Sequence, residues 1–194
     1  YEVTTIAGKS TQVDRFGFPA GGYQDGDANE AQFNRPRGIV LAENGALFIA
    51  DTGNHAIRML YDNNVYTIAG MGVPGYEDGE GVDAAFYNPS AIAIDPDGNL
   101  YVSDTLNHAI RKIDQDGNVT TLIVNPSNTN LLFEPAGIAF DREGVLYIAD
   151  SANHQIKRFF NNTLELVAGY ATEIDPETEY YIGEFVNGVK QEAR

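Results

Sequence analysis

The chain has 194 residues, with 28 acidic and 12 basic side chains and a formal net charge of −16. Its composition, 43% hydrophobic and 21% charged, is that of a globular protein, and the lack of cysteine excludes disulfides, thiolate zinc sites and thiol nucleophiles. A chain this acidic disfavours nucleic-acid binding, which depends on cations that neutralise phosphates. No apolar run approaches the roughly 20 residues of a membrane-spanning helix, so we expect no membrane insertion.

Three segments of the chain repeat one pattern. They start at Phe33, Phe86 and Phe133, which are 53 and then 47 residues apart. Each segment carries a proline and a short apolar run, then a second apolar run that ends in aspartate, and then Asn-His. Asp-Gly and Asn-Gly pairs between apolar runs are typical of β-hairpins, because glycine accepts the positive φ of the turn. We therefore predict four short strands per segment, which is a β-propeller blade.

The pattern divides the chain into blades and linkers. We predict the last strand of a preceding blade at 1–8, blades at 33–70, 86–124 and 133–169, and linkers at 9–32, 71–85, 125–132 and 170–194, the last leading to a further blade. The fold class is all-β.

The motifs Pro-x-Gly-Ile, Leu-Tyr-Ile-Ala-Asp and Asn-His-x-Ile-Arg resemble the NHL repeat, which is named for Asn-His-Leu. The third signature position differs from the family pattern, since Ala56, Ala109 and Gln155 stand where leucine is expected. The resemblance implies a propeller that is usually six-bladed, with the first strand of each blade at the central axis.

Three blades and one orphan strand do not close a six-bladed ring. We therefore expect the remaining blades, three in number, on sequence outside this chain or on a partner chain. The alternative is a three- or four-bladed propeller that closes with the strand at Val3–Gly8.

Repeated polar residues follow the second strand of each blade. Asp51, Asp104 and Asp150 each stand four residues before a histidine, His55, His108 and His154 respectively. We interpret these six residues as structural: the carboxylate accepts backbone N–H groups across a tight turn, while the asparagine before each histidine tolerates left-handed geometry. The three histidines occupy equivalent positions on separate blades, too far apart to share one zinc ion, and we predict no metal site.

The residues near the predicted axis can be compared with the metal ligands of two enzyme families that have similar propellers. In the amidating lyase, zinc is held by histidines that follow the proline of a first strand, and the matching residues here are Arg37, Ser90 and Ala136, which cannot replace them. Lactonase-type propellers hold calcium with Glu, Asn and Asp near the axis. Asn88 and Glu134 are loosely placed for that role, but Arg35 occupies the third equivalent position. We predict no cofactor, with calcium as the ligand of an enzyme alternative.

The linkers carry the non-repeated acidic and aromatic residues. Two of them share Gly-Tyr-x-Asp-Gly, and long loops on a rigid scaffold are where recognition usually occurs. The candidate ligand-face residues are Phe16, Phe18, Asp25, Asp27, Glu77, Asp78, Glu80, Tyr180 and Tyr181. The competing interpretation is that these loops provide solubility and that their aromatic rings pack between blades, which the repetition favours for Tyr23 and Tyr76.

The sequence therefore predicts a non-enzymatic NHL propeller module that presents an acidic, aromatic-bearing face to a protein, a glycan or a cationic ligand. The alternative is a lactonase-, hydrolase- or lyase-like propeller enzyme whose metal site, with Arg37, Asn88 and Glu134 at its axis, lies mainly in other blades. The acidic, Asp-Gly-rich style of the repeats resembles that of bacterial secreted or surface proteins, which implies an extracellular or cell-surface location.

Overall fold

The computed structural model describes residues 1–124 and 131–169 and contains three antiparallel sheets. The first has the spatial order β1-β5-β4-β3-β2, with β1 Gly26–Asp27, β2 Pro36–Leu41, β3 Leu47–Asp51, β4 Ala56–Tyr61 and β5 Asn64–Ala69. The second has the order β6-β10-β9-β8-β7, with β6 Gly79–Glu80, β7 Pro89–Ile94, β8 Leu100–Asp104, β9 Ala109–Ile113 and β10 Asn118–Val124. The third runs β11-β12-β13-β14, with β11 Pro135–Phe140, β12 Leu146–Asp150, β13 Gln155–Phe160 and β14 Thr163–Ala168.

Each sheet is one blade, in which four strands pair in sequence order as a meander, and in the first two blades a two-residue strand, β1 or β6, pairs with the outer strand. The all-β propeller architecture predicted from the repeats is confirmed. The first hairpin of each blade closes on a carbonyl–amide pair, as between Asp95 and Asn99 at 3.0 Å, and Gly98 takes the positive φ of 86° that the turn requires. The Asp95 carboxylate accepts the N–H groups of Asp97 and Asn99, so this loop is a hairpin turn.

A short 3-10 turn joins the second and third strands of every blade. These turns are Thr52–Asn54, Thr105–Asn107 and Ser151–Asn153. The left-handed residue is the histidine after each turn, with φ of 52° to 55°, so the assignment of that geometry to the asparagine was wrong. The reason is that the asparagine amide must reach the preceding aspartate from within the turn.

The hydrophobic core lies between successive blades. One buried cluster joins blade 1 to blade 2 and includes Ile57, Phe86 and Val102. A second joins blade 2 to blade 3 and includes Ile110 and Leu146. Because burial of apolar surface is the main stabilising term, each blade is held chiefly by its neighbours.

The inner strands of blades 1 and 2 approach closely. A Cβ atom on Gly38 would lie 2.7 Å from the Cα of Ala91 and 2.8 Å from the carbonyl oxygen of Ser90. Any side chain at position 38 would therefore push the blades apart, and glycine is required there.

Residues 3–8, predicted as a strand, are not in a strand, and no described strand pairs with them. Gly8 nevertheless occupies the same environment as Gly70. Its N–H bonds the carbonyl of Ala28 at 2.8 Å, as that of Gly70 bonds Gly81 at 3.1 Å, and each glycine lies beside the phenylalanine that starts the next blade. The assignment of 1–8 to a preceding blade stays a prediction. Among the residues that the model describes, no helix is long and apolar enough to cross a membrane.

Candidate functional site

A buried aspartate organises the turn in each blade. Asp51 is fully buried, and its Oδ1 accepts the N–H of Asn34 at 2.7 Å, while its Oδ2 accepts from the Asn54 amide at 2.8 Å and from Arg58 Nη1 at 2.7 Å. Burial raises the pKa of Asp51, and these three hydrogen bonds act against that rise by favouring the charged form. The structural role predicted for this aspartate agrees with these contacts.

Blades 2 and 3 repeat the arrangement. Asp104 accepts from the N–H of Tyr87 at 2.7 Å, from the Asn107 amide and from Arg111, and burial likewise raises its pKa. In blade 3 the Asp150 carboxylate accepts from Asn153 and from Lys157, so a lysine stands where the other blades have arginine.

The Gly-Tyr-x-Asp-Gly linkers bind these arginines through an aromatic ring and a carboxylate, an arrangement that we name the arginine clamp. The buried guanidinium of Arg58 lies 5.0 Å from the ring of Tyr23 and 5.1 Å from that of Phe33, which places it between two aromatic rings. Asp25 Oδ1 accepts from Arg58 Nη2 at 2.6 Å, and Asp25 Oδ2 accepts the backbone N–H of Thr67 at 2.9 Å. The linker, the third strand and the fourth strand are thus joined by one carboxylate.

Blade 2 has the same clamp. Arg111 is buried and lies 5.1 Å from the ring of Tyr76 and 5.2 Å from that of Phe86. Asp78 accepts from Arg111 Nη2 at 2.7 Å and from the N–H of Thr121 at 3.1 Å. Although partial burial acts to raise the pKa of Asp78, the hydrogen bonds from Thr121 and Arg111 prevail and lower it.

Two of the predicted ligand-face acids therefore have structural partners. Asp25 and Asp78 remain about half exposed, but each forms an ion pair with a buried arginine. Asp27, Glu77 and Glu80 lie on the surface of the same linkers, where Asp27 accepts from Asn29 and Asn63. Tyr180 and Tyr181 lie outside the described residues.

The histidines join one blade to the next. His55 Nδ1 accepts the N–H of Asn88 at 3.1 Å, and burial lowers the pKa of His55, which keeps that nitrogen unprotonated. His108 Nδ1 accepts the N–H of Glu134 at 3.1 Å in the same way. In blade 3, His154 is exposed, and no such contact for it is found within residues 1–124 and 131–169.

The residues predicted to lie near the central axis have a backbone geometry and contacts that are typical of structural residues. The residues before the three prolines, Arg35, Asn88 and Glu134, have left-handed φ of 52°, 53° and 48°. Arg37 is exposed, and the hydroxyl of Ser90 lies 2.6 Å from that of Thr105. Over residues 1–124 and 131–169, no group of three His, Asp or Glu side chains is placed to hold a metal ion.

The first linker contains a hairpin that the second lacks. Gly22 follows Gly8 by 14 positions, whereas Gly75 follows the matching Gly70 by five. Within the extra segment Val13 bridges Pro19, and Asp14 accepts the N–H groups of Phe16 at 2.8 Å and Phe18 at 3.0 Å. We name Val13–Pro19 the linker hairpin.

The tip of the linker hairpin is apolar and exposed. Phe16 and Phe18 are 69% and 67% exposed, although both belong to a loop whose backbone is fixed by hydrogen bonds. The guanidinium of Arg15 lies 4.7 Å from the ring of Phe16. Exposed aromatic side chains on an ordered loop are typical of contact surfaces, because little conformational entropy is lost on binding.

The model of the NHL repeat matches residues 33–59, 86–113 and 134–159, within the three blades. The chain is 36% identical over 107 residues to Protein SUPPRESSOR OF QUENCHING 1, chloroplastic, of Arabidopsis thaliana, covering 52% of this chain and 10% of that protein. It is 44% identical over 70 residues to the human NHL repeat-containing protein 2, covering 35% of this chain and 9% of that protein. The chain thus spans about a tenth of the curated relatives it matches.

Solved structures share the fold. An auxiliary nutrient binding protein from Bacteroides thetaiotaomicron superposes with a TM-score of 0.60 at 21% identity, over 79% of this chain and 42% of that chain. Virginiamycin B lyase from Staphylococcus aureus gives a TM-score of 0.53 at 17% identity, over 78% of this chain and 48% of that chain. At these identities the similarity concerns the fold alone.

Proposed function

The chain is an NHL-repeat protein, and we propose that it is a non-enzymatic recognition module whose principal contact surface is the linker hairpin. The observation that carries the proposal is the pair Phe16 and Phe18, exposed on a loop with a fixed backbone. The repeated linker aromatics Tyr23 and Tyr76 stack on buried arginines and serve the fold.

The chemistry of the surface favours a protein or a glycan. Two phenylalanine rings can enter apolar pockets of a protein or lie against the flat face of a sugar ring. Asp27, Glu77 and Glu80 add negative charge on neighbouring linkers, which favours a partner with basic groups and opposes nucleic acid.

Further blades are part of the proposal. In blades 1 and 2 the histidine turn holds the next blade through a backbone N–H, and Thr52 and Thr105 donate to the carbonyls of Pro89 and Pro135. Ser151 and His154 present the matching groups on blade 3. We place the module outside the cell or at its surface, because its acidic, Asp-Gly-rich repeats resemble those of bacterial secreted or surface proteins.

The test compares capture of ligands by the full chain and by a Phe16→Ser, Phe18→Ser double variant. The immobilised proteins are exposed to a protein extract and to a glycan array, and bound species are quantified. The matched control is Tyr66→Ser, which removes an aromatic ring that is 46% exposed on β5. We expect ligands held by the wild type and the control to be lost by the double variant, with unchanged thermal unfolding.

The contribution of the acidic residues to binding is tested by a Glu77→Lys, Glu80→Lys double variant. Asp25 and Asp78 are unsuitable for this purpose, because reversing either charge would also expose a buried arginine to repulsion. Equal capture by the wild type, the double phenylalanine variant and the Tyr66 control would refute the linker hairpin as the contact surface.

A further inference from the structure

A groove of about 1000 Å³ lies between blades 1 and 2, at the end of the blades that carries the first hairpin turns. We name it the inter-blade groove. Its floor is apolar, because Phe48, Ile68 and Ile94 are half-buried there and pack against the core cluster that joins the two blades. Met59 also lines it. Clefts of roughly 300–1000 Å³ with an apolar lining are typical of binding sites for small organic molecules.

The rim of the inter-blade groove is acidic. Six carboxylates line it, and no lysine, arginine or histidine of residues 1–124 and 131–169 does so. The six belong to Glu43, Asp95, Asp97, Asp114, Asp116 and Asp141. Some of them serve their own turns, as Asp95 does by accepting the N–H of Asn99. Asp97 and Asp116 are exposed, and their carboxylates form no ion pair with any described residue. The negative charge at the mouth is therefore not compensated by this part of the chain.

The equivalent place between blades 2 and 3 is filled by side chains of the protein. Tyr101 stands where blade 1 has Phe48, and its ring packs edge-on against Phe140 with 4.9 Å between centroids. Lys112 pairs with Tyr101 as Met59 pairs with Phe48. Its Nζ lies 5.7 Å from the centroid of the Tyr101 ring, within the range of a cation–π contact. The second interface thus holds a cation over an aromatic ring where the first has only the thioether of Met59.

The field between the two interfaces is negative. Burial, together with the charges of Asp95 and Asp97, raises the pKa of Tyr101 to about 12. The same two carboxylates line the inter-blade groove. Over residues 1–124 and 131–169, however, no three acidic or histidine side chains converge as metal ligands do. The charge is spread along the mouth of an apolar groove, which suits an organic cation better than a bare metal ion.

We infer that the inter-blade groove binds a small organic amine in its ammonium form. The apolar body of the amine lies on Phe48, Met59 and Ile94, and its ammonium group lies between the floor and the carboxylates of Asp97 and Asp116. The ligand takes the place over the Phe48 ring that the Lys112 side chain takes over Tyr101 at the next interface. Complementary charge selects a cation, and the apolar floor selects one with a hydrocarbon body. The groove is separate from the linker hairpin and does not depend on the proposed function.

The occupant follows from the path of the chain and from its charge. β10 runs from Asn118, next to the groove, to Val124 at the opposite end of the blade, and β14 runs in the same direction to Ala168. The linkers therefore join the blades at the end away from the groove. A second copy of the chain would bring a net charge of −16 towards the acidic rim, which opposes association there.

The test titrates phenethylammonium into the full chain and follows the chemical shifts of the backbone amides. Phenethyl alcohol supplies a similar body without the charge, and ethylammonium supplies the charge without the ring. Met59→Lys gives blade 1 the cation that blade 2 has at position 112, and Met59→Leu is its apolar control.

A second pair of variants tests the rim. The double variant Asp97→Asn, Asp116→Asn removes two exposed charges and leaves the turn acceptors Asp95 and Asp114 in place. Its matched control is Asp62→Asn, Glu143→Gln, which removes two exposed charges that do not line the groove.

We expect saturable shifts at Asp97, Gly98 and Gly117 with phenethylammonium, and at least tenfold weaker binding of the alcohol and of ethylammonium. Affinity should fall at least tenfold in Met59→Lys and in the Asp97, Asp116 double variant, and stay unchanged in both controls. The absence of saturable binding to the wild type would overturn the inference. Equal affinity in the wild type, Met59→Lys and the Asp97, Asp116 variant would also overturn it, as would shifts confined to residues outside the groove or equal binding of the alcohol.

Discussion

Blades 1 and 3 hold the same buried aspartate with different cations. In blade 1, Arg58 binds Asp51, Asp25 and the carbonyls of Gln24 and Gln32, and its guanidinium lies between two rings. In blade 3, Lys157 binds Asp150 and the carbonyl of Leu131. The planar guanidinium has five donors in a fixed geometry, whereas the ammonium is a compact charge with three.

This difference between the two cations explains why the linkers before blades 1 and 3 differ in sequence. An arginine that connects a turn to a linker needs a linker with acceptors, and both long linkers supply tyrosine, aspartate and two carbonyls. The linker before blade 3 has neither that tyrosine nor that aspartate in its sequence. The arginine, the linker motif and the threonine of the fourth strand are therefore present together in blades 1 and 2, and all three are absent from blade 3.

The largest effect is expected from removing the arginine. Arg58→Met should destabilise the protein by about 3–5 kcal/mol, because it leaves Asp51 buried without its charged partner and frees Asp25. Lys157→Met should cost less, because a lysine ammonium has three donors against the five of arginine and because Arg58 also lies between two aromatic rings. Urea unfolding followed by circular dichroism measures both.

The control is Arg37→Met, which changes an exposed arginine and should alter the unfolding free energy by less than about 0.5 kcal/mol. If Arg58→Met and Lys157→Met were equally destabilising, arginine and lysine would contribute equally to stability at this position, which would contradict the prediction.

The sequence alone predicts the repeat, the hairpins and the structural role of Asp51, because these depend on local turn chemistry and on patterns that recur. It does not predict the burial of Arg58, since charged side chains are usually exposed and its partners lie up to 34 residues away. A signal was present: Gly-Tyr-x-Asp-Gly precedes the two blades with arginine and is missing before the blade with lysine. Exposure of Phe16 also required the structure, because an unrepeated aromatic residue can equally pack between blades.

A smaller effect is expected from the clamp itself. Asp78→Asn keeps the size of the side chain but removes the charge next to Arg111, and because Asp78 is half exposed we expect a loss of about 0.5–1.5 kcal/mol at pH 7. Since the folded-state pKa of Asp78 is lowered below 3.8, its contribution is present above that pH and is lost as pH falls through the folded-state value. The difference in unfolding free energy between wild type and variant should therefore stay constant above pH 3.8 and narrow as the pH falls below it. A constant difference at all pH values would contradict this assignment.

The smallest effect concerns the histidines, for which blades 1 and 3 again differ. His55 accepts the N–H of Asn88 and must be neutral at Nδ1, whereas His154 is exposed. Burial lowers the pKa of His55 below 6.5, so the unfolded chain binds the proton more readily, and stability should fall as pH drops below about 6.5. His55→Ala should cost about 1 kcal/mol at pH 7.5 and remove part of this pH dependence, because the bond to Asn88 is lost.

His154→Ala provides the comparison on the same substitution. It should leave the unfolding free energy at pH 7.5 unchanged, since the histidine of blade 3 makes no equivalent bond among the described residues. Thermal unfolding at pH 7.5 measures the two variants side by side. An equal loss in His154→Ala would mean that the blade 3 histidine is engaged as fully as His55, and that its open turn already holds a further blade.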